Sequence, residues 1–432
     1  MKIGIRREDK SIWERRSPLT PADLGELAAG GIAAAVETSG HRVFTDAEFR
    51  QAGIPVQADL GDCGLILGIK EIPPAAFEKG KVYLFFSHVI KGQAGNMPML
   101  RAMMDKGASL LDYERIVDGA GRRLIFFGRH AGLAGMVDTL WALGRRLRAE
   151  GIPSPLERLR QMREYPDLPA ALDALERLRD ALRRDGVPPA VHPLVIGRVG
   201  SGNAGQGAAE ILERLGAETV SADDLPLTMD RPADRLYQVV FRKSDWLRPR
   251  ESGRTFDADE YLRHGVRRYR SGFPDFAPHL SALVNCMYWD DRYPGLLSAA
   301  DFRRLWSDPA LPRLRVIGDI SCDVNGPLAC TVRATDPGTP VYTYDPATGE
   351  TRDGVSGPGP VVMAVYMLPA EIPRESSIYF SGILKPFIPP LAAADFSRPL
   401  SEVGLPPELG RALILHQGGL TPEYAYLRES VG

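Results

Sequence analysis

Residues 193–216 read PLVIGRVGSGNAGQGAAEILERLG. The apolar run at 193–199 predicts a buried strand, and the spacing of apolar residues from about 204 to 215 predicts a helix that Gly216 ends. A glycine-rich turn at 200–207 joins the two. This order of strand, glycine turn and helix is typical of a βαβ unit in a parallel sheet.

The glycines of this turn have separate physical tasks. Gly200 permits a tight turn from strand to helix, and Gly202 removes a Cβ where the backbone must approach a phosphate. Gly205 or Gly207 lets the helix pack closely on the strand, while the helix start supplies N–H donors and positive potential. The turn therefore predicts a dinucleotide whose pyrophosphate contacts Gly200, Ser201, Gly202, Asn203, Gly205 and Gly207.

The position that would contact the adenosine ribose is ambiguous. A strand is predicted at 217–221, with Ser221 at its end and Asp223 just beyond it. An acid at the ribose favours NAD, whereas a small hydroxyl leaves room for the 2′-phosphate of NADP. The expected cofactor is thus NADPH or NADH, with NADPH slightly favoured.

Residues 1–128 show the same alternation of short apolar runs and helical patterns. Several runs lack strict alternation, which is typical of strands buried on both faces of a parallel sheet. TPADLGELAAGG at 20–31 predicts a helix with Thr20 as N-cap and Asp23 completing a capping box. The predicted strands are residues 2–6, 33–37, 65–70, 82–88, 109–114 and 124–128.

Several of these runs end in charged or polar side chains. Ligands of open α/β sheets bind outside the carboxyl ends of the strands, so these groups are expected at one crevice. Charges are also ordinary where strands reach the surface, but that explanation suits His88 poorly because His88 comes directly after the apolar run LFFS. The groups are Arg6 and Arg7, Lys70 and Glu71, His88, and Asp112 to Glu114.

The rest of the chain predicts a second domain. Residues 131–149 predict a helix that leads into it, and residues 152–190 predict charged helical decoration. The segment 336–360 is predicted to be a loop, and the tail to hold proline-rich corners and a helix at 375–384. The further strands of the second domain are predicted at 237–241, 282–286, 315–320 and 361–366.

These elements predict an α/β fold with two Rossmann-like doubly wound domains, mostly parallel sheets and a cleft between them. Residues 1–130 would form a catalytic or substrate domain, which 375–432 would complete. Residues 131–374 would form the dinucleotide-binding domain, with a helical insertion at 150–190.

Composition narrows the class of protein. A chain of 432 residues with net charge −2 carries no basic field of the kind that nucleic-acid binders use. Its four cysteines form no CxxC pair and no zinc-type cluster, so we expect reduced thiols and no metal. No secretory signal or membrane span is visible, which predicts a cytoplasmic protein without membrane partners.

A set of longer motifs resembles the lysine-ketoglutarate reductase domain, or lysine-forming saccharopine dehydrogenase family, within the superfamily of alanine dehydrogenase and the transhydrogenase N-terminal domain. It covers nearly the whole chain, most weakly at 150–190. The motifs are GIRREDKSIWERRSPLTP, ILGIKEIP, FFSHVIKGQAGNM, LLDYERIVDGAGRR, FFGRHAGLAGM, VGSGNAGQG, RYRSGFPDFAPHLSALVNCMYW, GDISCDVNG, MLPAEIPRESSIYFS and TPEYAYLRE.

The resemblance implies a reaction. Lysine, through its ε-amine, and 2-oxoglutarate would condense to an imine that NAD(P)H reduces to saccharopine. Lys70 and His88 match the family's catalytic residues, and a histidine with an ordinary pKa near 6.5 suits proton transfer. The other matched residues are the substrate arginines Arg16 and Arg123, the acids Glu71 and Glu114 that tune the catalytic pair, and Asn285 and Asp319 at the nicotinamide half of the cofactor.

Two alternatives stay open at this point. Another amine or oxo acid would give a related opine-type reductase, and a regulatory protein could keep the dinucleotide site without catalysis. Animal and plant members fuse this reductase to a second enzyme, and no such half comes after TPEYAYLRESVG here. We therefore expect one half-reaction only, with small-molecule substrates; oligomeric state is left undetermined.

Overall fold

The computed structural model describes residues 1–307 and 313–431. It divides into unit 1, which comprises Met1–Phe127 and Pro373–Gly432, and unit 2, which comprises Gly128–Ile372. Unit 1 is therefore built from two separate stretches of chain.

The domain boundaries predicted from the sequence lie after residues 130 and 374. The predicted ranges 131–374 and 375–432 also include residues 308–312 and 432, which lie outside the described part of the chain.

The strands form two large sheets and one small one. Numbered along the chain, they are β1 (Ile3–Ile5), β2 (Ala34–Glu37), β3 (Val56–Gln57), β4 (Leu65–Leu67), β5 (Val82–Phe85), β6 (Ser109–Asp112), β7 (Val195–Val199), β8 (Glu218–Val220), β9 (Tyr237–Phe241), β10 (Leu247–Pro249), β11 (Tyr269–Ser271), β12 (Ala282–Asn285), β13 (Val316–Asp319), β14 (Val341–Tyr344), β15 (Thr351–Asp353), β16 (Val361–Met363), β17 (Leu413–His416) and β18 (Gly419–Leu420).

The helices connect and cover these sheets. They are α1 (Pro21–Ala29), α2 (Asp46–Gln51), α3 (Met97–Asp105), α4 (Gly128–Ala149), α5 (Leu168–Asp185), α6 (Asn203–Arg214), α7 (Lys243–Trp246), α8 (Ala258–His264), α9 (Ala299–Leu305), α10 (Pro373–Leu384), α11 (Ile388–Ala393), α12 (Pro407–Ala412) and α13 (Arg428–Val431). In the described residues, no helix is both long and apolar enough to cross a membrane.

The sheet of unit 1 has the order β18-β17-β6-β5-β4-β1-β2-β3. The strands from β3 to β6 pair in parallel, and β1 lies between β2 and β4. In chain order, β2 and β3 therefore lie on one side of β1, and β4, β5 and β6 follow on the other side. Strands β17 and β18 extend the β6 edge in antiparallel fashion.

The sheet of unit 2 has the order β15-β14-β16-β13-β12-β7-β9-β8. Its six strands from β8 to β16 in that order are parallel. Strand β14 is antiparallel to β16, and β15 is antiparallel to β14, so of the described strands in this sheet only β14 runs the other way. Both units are thus mostly parallel sheets with helices, which confirms the predicted α/β fold of two Rossmann-like domains. The spatial order of the strands departs from their order in the sequence next to β7, where β9 and not β8 is the neighbouring strand.

Three local predictions are wrong. Residues 124–128 form no strand. The apolar run that suggested one contains Ile125 and Phe127, which are buried in the core of unit 1 without strand pairing. The segment 336–360 is not only loop, since it contains the hairpin of β14 and β15. The tail holds β17 and β18 in addition to helices, because short strands at a sheet edge leave a weak pattern in the sequence.

The predicted capping box of α1 is half formed. The Thr20 hydroxyl accepts the Asp23 N–H at 3.1 Å, as an N-cap should. The Thr20 N–H, however, donates to the Ser381 hydroxyl on α10 at 2.9 Å and not to Asp23. A residue more than three hundred positions away therefore replaces the local partner, and this tie helps to hold the tail on unit 1.

Glycines set the distance between α4 and α6 in unit 2. A Cβ at Gly132 of α4 would lie 1.9 Å from the Ala204 carbonyl oxygen, and one at Gly207 of α6 would lie 2.0 Å from the Arg129 carbonyl oxygen. Neither backbone could yield without moving a whole helix. The two helices therefore pack backbone to backbone, and α6 is held in place at the end that adjoins the glycine turn.

We expect Gly132→Ala to lower the free energy of unfolding by at least about 2 kcal/mol, because its methyl group would force α4 and α6 apart. The matched control is Gly382→Ala on α10, an exposed helical glycine whose Cβ would meet nothing within 4 Å. Alanine has the higher helix propensity, so this control should be neutral or slightly stabilising. Thermal unfolding followed by circular dichroism compares the two, and an unchanged Tm for Gly132→Ala would contradict the close packing.

Candidate active site

Polar groups stand after four neighbouring parallel strands of unit 1. Lys70 and Glu71 come after β4, His88 after β5, and Glu114 after β6. On the other side of β4, the segment after β1 contributes Glu8. Because parallel strands all end at one edge, residues from distant parts of the sequence gather there.

His88 and Glu71 form a pair across the β4–β5 boundary. The His88 Nδ1 atom lies 2.8 Å from Glu71 Oε1. Burial alone would raise the pKa of Glu71, but the hydrogen bond and charge of His88 lower it to about 2. The carboxylate is therefore ionised and accepts from Nδ1–H, which leaves Nε2 as the ring nitrogen that can exchange a proton.

The backbone of His88 is in the left-handed region, with φ of 51°. This conformation is costly for a residue with a side chain and persists only when its surroundings hold it. The Asn96 side-chain amide donates to the His88 carbonyl at 3.0 Å, and the Phe86 ring stacks near the imidazole with 6.3 Å between centroids. The histidine is thus fixed from its backbone, one ring face and one ring nitrogen.

Lys70 lies among opposing charges. Burial, and then the positive charge of Arg16, lower the pKa of Lys70, while Glu71, Glu14 and Glu8 act in the opposite direction. The Glu8 carboxylate accepts the backbone N–H groups of Ile69 at 2.6 Å and Lys70 at 3.0 Å. Glu8 therefore fixes the backbone of the segment after β4 that carries Lys70.

Glu8 itself is an unusual acid. It is buried, and burial together with the nearby charge of Glu14 raises its pKa to about 7. An acid of this kind gains a proton close to neutral pH, within hydrogen-bond distance of the Lys70 backbone. The sequence prediction did not include Glu8, although its place just after the first strand was a usable signal.

Arg16 does not stand free for a substrate. Its Nε and Nη2 atoms donate to the Glu14 carboxylate at 2.8 and 2.5 Å, and both side chains are almost fully buried. The guanidinium also lies 4.3 Å above the Phe127 ring centroid. Sequence reasoning missed Glu14. This pair uses two of the five N–H donors of Arg16. A substrate carboxylate, as predicted for Arg16, would have to bind the remaining donors.

Arg123 is the more open of the two predicted arginines. Its side chain is 40% exposed and pairs with Glu114 through Nη2. Its guanidinium lies 5.9 Å from the centroid of Phe86, the ring that also stacks near His88. The two acids that were predicted to tune the catalytic pair therefore have different partners: Glu71 contacts His88, whereas Glu114 contacts Arg123.

The glycine turn of unit 2 has the shape that a dinucleotide phosphate needs. Gly200 has φ of 99°, and a Cβ there would lie 2.6 Å from the Cys286 backbone. A Cβ at Gly205 would lie 2.1 Å from the Gly200 carbonyl oxygen, whereas one at Gly202 would meet nothing within 4 Å. Two glycines are thus required by packing, and the third borders open space at the start of α6, where Ser201 and Asn203 also lie. The turn fits a pyrophosphate.

Arg198 adds a buried positive charge beneath this turn. It lies on β7, and its Nη1 donates to the carbonyl oxygens of Gly205 at 3.0 Å and Gly200 at 3.3 Å. Burial lowers its pKa. Among the described residues, its Nε has no hydrogen-bond partner and no carboxylate lies within ion-pair distance. A buried cation without an anion is costly, so the arrangement favours an anionic ligand at the turn. No role for Arg198 was predicted from the sequence, because a single arginine within an apolar strand pattern carries no signal of a ligand.

Asn285 and Asp319 lie opposite each other on β12 and β13. The Asn285 amide donates to Asp319 Oδ1 at 2.9 Å, and the other carboxylate oxygen accepts the Thr331 hydroxyl at 2.6 Å. Burial raises the pKa of Asp319, and its hydrogen bonds oppose that rise. Both residues are fully buried, so they brace the loop after β13. Their predicted place at the nicotinamide stays a prediction.

The two candidate ribose residues lie at the outer edge of the sheet in unit 2. Ser221 and Asp223 come after β8, and β9 separates β8 from β7. The Ser221 hydroxyl donates to Asp224 at 2.8 Å. They are therefore one strand farther from the glycine turn than their sequence spacing suggested.

The chain is similar to several known proteins. Residues 4–134 match the family described as "Alanine dehydrogenase/PNT, N-terminal domain". The chain is 35% identical to alpha-aminoadipic semialdehyde synthase of Arabidopsis thaliana and 32% identical to the mitochondrial synthase of Mus musculus, over 98% and 99% of this chain. It spans only 41% and 47% of those relatives, less than half their length.

A shorter relative matches over most of its length. Saccharopine dehydrogenase [NAD(+), L-lysine-forming] of Neurospora crassa is 29% identical, with 89% of each chain covered. The resemblance to the lysine-forming saccharopine dehydrogenase family is confirmed. The names of these relatives support the prediction of an oxidoreductase. An L-alanine dehydrogenase structure matches with a TM-score of 0.66 at 17% identity, covering all of both chains, which shows the fold alone.

The His88–Glu71 pair leads to a prediction about acid stability. Because the pKa of Glu71 is lowered to about 2 in the folded chain, its ionised form stabilises the fold above pH 4–5. That contribution should disappear as the pH falls from about 5 toward 2. Between pH 5 and pH 3 the loss from this group is on the order of 2 kcal/mol.

The Glu71→Gln variant should lack this part of the pH dependence, and His88→Ala should flatten it as well because it removes the same hydrogen bond. Urea unfolding at a series of pH values from 3 to 6 measures the slopes. Parallel curves for the wild type and Glu71→Gln would show that the pair does not exist in solution.

Proposed function

We propose that the chain catalyses the reversible NAD(P)H-dependent joining of the lysine ε-amine to 2-oxoglutarate, which forms saccharopine. The observation that carries the proposal is the placement of Lys70 and the His88–Glu71 pair at the ends of the adjacent strands β4 and β5. The glycine turn and the buried charge of Arg198 support a dinucleotide in unit 2.

The chemistry requires several proton transfers. The amine must lose a proton to attack the C2 carbonyl of 2-oxoglutarate, and the resulting hydroxyl must gain one to leave as water. Lys70, whose pKa is lowered by burial and by Arg16, can exchange a proton nearer to neutral pH than an exposed lysine. His88, held through Nδ1, presents Nε2 for the second transfer. The reduced nicotinamide supplies the hydride for the imine carbon when it is bound.

Saccharopine carries three carboxylates, and arginine suits such groups by its bidentate geometry. Arg123 is half-exposed beside Phe86, which places a cation near His88. Arg16 is held by Glu14 and would contribute only its remaining donors. We therefore assign the first substrate carboxylate to Arg123. The cleft expected between the two domains stays a prediction.

Oxidation of the cofactor tests the reaction directly. The protein is mixed with lysine, 2-oxoglutarate and either NADPH or NADH, and the loss of nicotinamide absorbance is monitored. Rapid oxidation that requires both substrates is expected. Oxidation with another amine but not with lysine would refute the lysine-forming assignment and favour a related opine-type reductase.

Lys70→Met and His88→Ala should each lower kcat by roughly 10²–10⁴-fold, the usual contribution of an acid–base group. The matched control is Lys106→Met: Lys106 is exposed and precedes β6, so it lies at the opposite edge of the sheet. Its kcat should equal that of the wild type. Full activity in both Lys70→Met and His88→Ala would contradict their assignment.

Gly202→Ala separates cofactor binding from folding. Because a Cβ there meets no atom within 4 Å, the unfolding free energy should stay within about 0.5 kcal/mol of the wild type. The added methyl group would stand where the phosphate must approach, so affinity for NAD(P)H should fall about 10-fold or more. Gly205→Ala is the contrasting variant, since its Cβ would clash with the Gly200 carbonyl and should destabilise the fold. Unchanged affinity in Gly202→Ala would place the phosphates elsewhere.

A further inference from the structure

The strand order of unit 2 changes which residues lie beside the glycine turn. Strand β9 pairs with β7 along its whole length, from Val195 opposite Tyr237 to Val199 opposite Phe241. Gly200 and Arg242 are therefore the next residues of two adjacent parallel strands. Neighbouring strands are about 4.8 Å apart, so the segment after β9 lies at the level of the turn.

In a βαβ dinucleotide site the ribose of the adenosine contacts the end of the strand beside the glycine-turn strand. That strand is usually the next one in the sequence, which is why an acid is sought about 20 residues after the glycines. In this chain the next strand is β8, which lies at the sheet edge and, among the described strands, pairs with β9 alone. The neighbour of β7 is β9, so the ribose position belongs to the residues directly after Phe241.

Those residues are Arg242, Lys243 and Ser244, and none of them is an acid. The Arg242 side chain is 81% exposed. Lys243 Nζ lies 4.9 Å from the Tyr261 ring centroid, so it is turned toward another element. Lys243 is exposed too, and Arg242 is the exposed cation that directly follows β9.

The nearest acid does not cancel this charge. Asp245 accepts the Arg242 backbone N–H at 2.8 Å and receives Arg242 Nη2 at 3.2 Å and Nε at 3.5 Å. Its carboxylate is mostly buried and is occupied by the chain's own donors. Guanidinium has five N–H donors in a planar fork, so the pair leaves donors for a second anion. Asp245 therefore orients Arg242 at the end of β9.

We propose that Arg242 binds the 2′-phosphate of the adenosine ribose and makes this chain select NADPH over NADH. The inference rests on the proposed function only in that a nicotinamide dinucleotide occupies the glycine turn. The charge, the exposure and the register of β9 against β7 carry it. Ser221 and Asp223, at the outer edge, do not take part in the selection.

Direct binding tests this without any turnover. Isothermal titration calorimetry compares 2′,5′-ADP with ADP, and NADPH with NADH, on the full chain. The wild type should bind 2′,5′-ADP and NADPH more tightly than the partners that lack the 2′-phosphate. Arg242→Gln should weaken 2′,5′-ADP and NADPH by about 10- to 100-fold and leave ADP and NADH within about 2-fold.

The matched control is Arg304→Gln. Arg304 is exposed and also pairs with an aspartate three residues away, Asp301, but it lies in the last turn of α9 and does not directly follow a strand that pairs with β7. Its affinities should match the wild type. The double variant Ser221→Ala/Asp223→Ala should likewise keep the wild-type preference for NADPH.

Several outcomes would overturn the proposal: equal or tighter binding of NADH by the wild type, an equal loss for both cofactors in Arg242→Gln, or a preference that changes only in the Ser221/Asp223 variant. Circular dichroism of Arg242→Gln shows whether an equal loss comes from misfolding, and Arg242→Lys, which keeps the charge, should then retain most of the preference. Binding of NADPH without oxidation by lysine and 2-oxoglutarate would refute the reaction and leave the role of Arg242 intact. Failure to bind any of the four compounds would refute both.

Discussion

Parallel pairing of the strands is the constraint on which the rest of this structure depends. Each parallel pair needs a crossover that covers a face of the sheet, so the strands are buried and their ends become the places where polar groups can stand. In unit 1 the ends of β1, β4, β5 and β6 share one edge. Acids, a lysine and a histidine that are far apart in sequence meet there without any long loop.

The charges collected at this edge modify one another. Arg16 lowers the pKa of Lys70 in addition to the effect of burial, and Glu14 holds Arg16 in position to do so. Glu71 keeps one nitrogen of His88 bound and the other available. A buried pair such as Glu14 and Arg16 contributes little net stability, because desolvation offsets its attraction. Its value here lies in fixing the electrostatic surroundings of the lysine.

In unit 2 the corresponding constraint is the close approach of backbones around the glycine turn. Glycines at 132, 205 and 207 bring α4, α6 and the turn within contact distances that no side chain would allow. Arg198 donates to two carbonyl oxygens of the turn, and its charge has no described partner acid. The turn is therefore closely packed and has a positive charge beside it before any ligand binds, and such preorganisation reduces the entropy cost of binding.

The amino-acid sequence was enough to predict the class of the fold, the glycine turn and a group of polar residues at strand ends that includes Lys70, Glu71 and His88, because these depend on local periodicity and on the residue types at the end of each strand. It could not determine that Glu8 and Glu14 surround Lys70 or that Glu114 faces Arg123, since these contacts form across strands. Nor could it place β9 beside β7, because strand order in a sheet depends on which apolar faces pack together and not on distance along the chain. The order of the strands in the folded sheet places Arg242 level with Gly200 on the adjacent strand, and Ser221 and Asp223 one strand farther away.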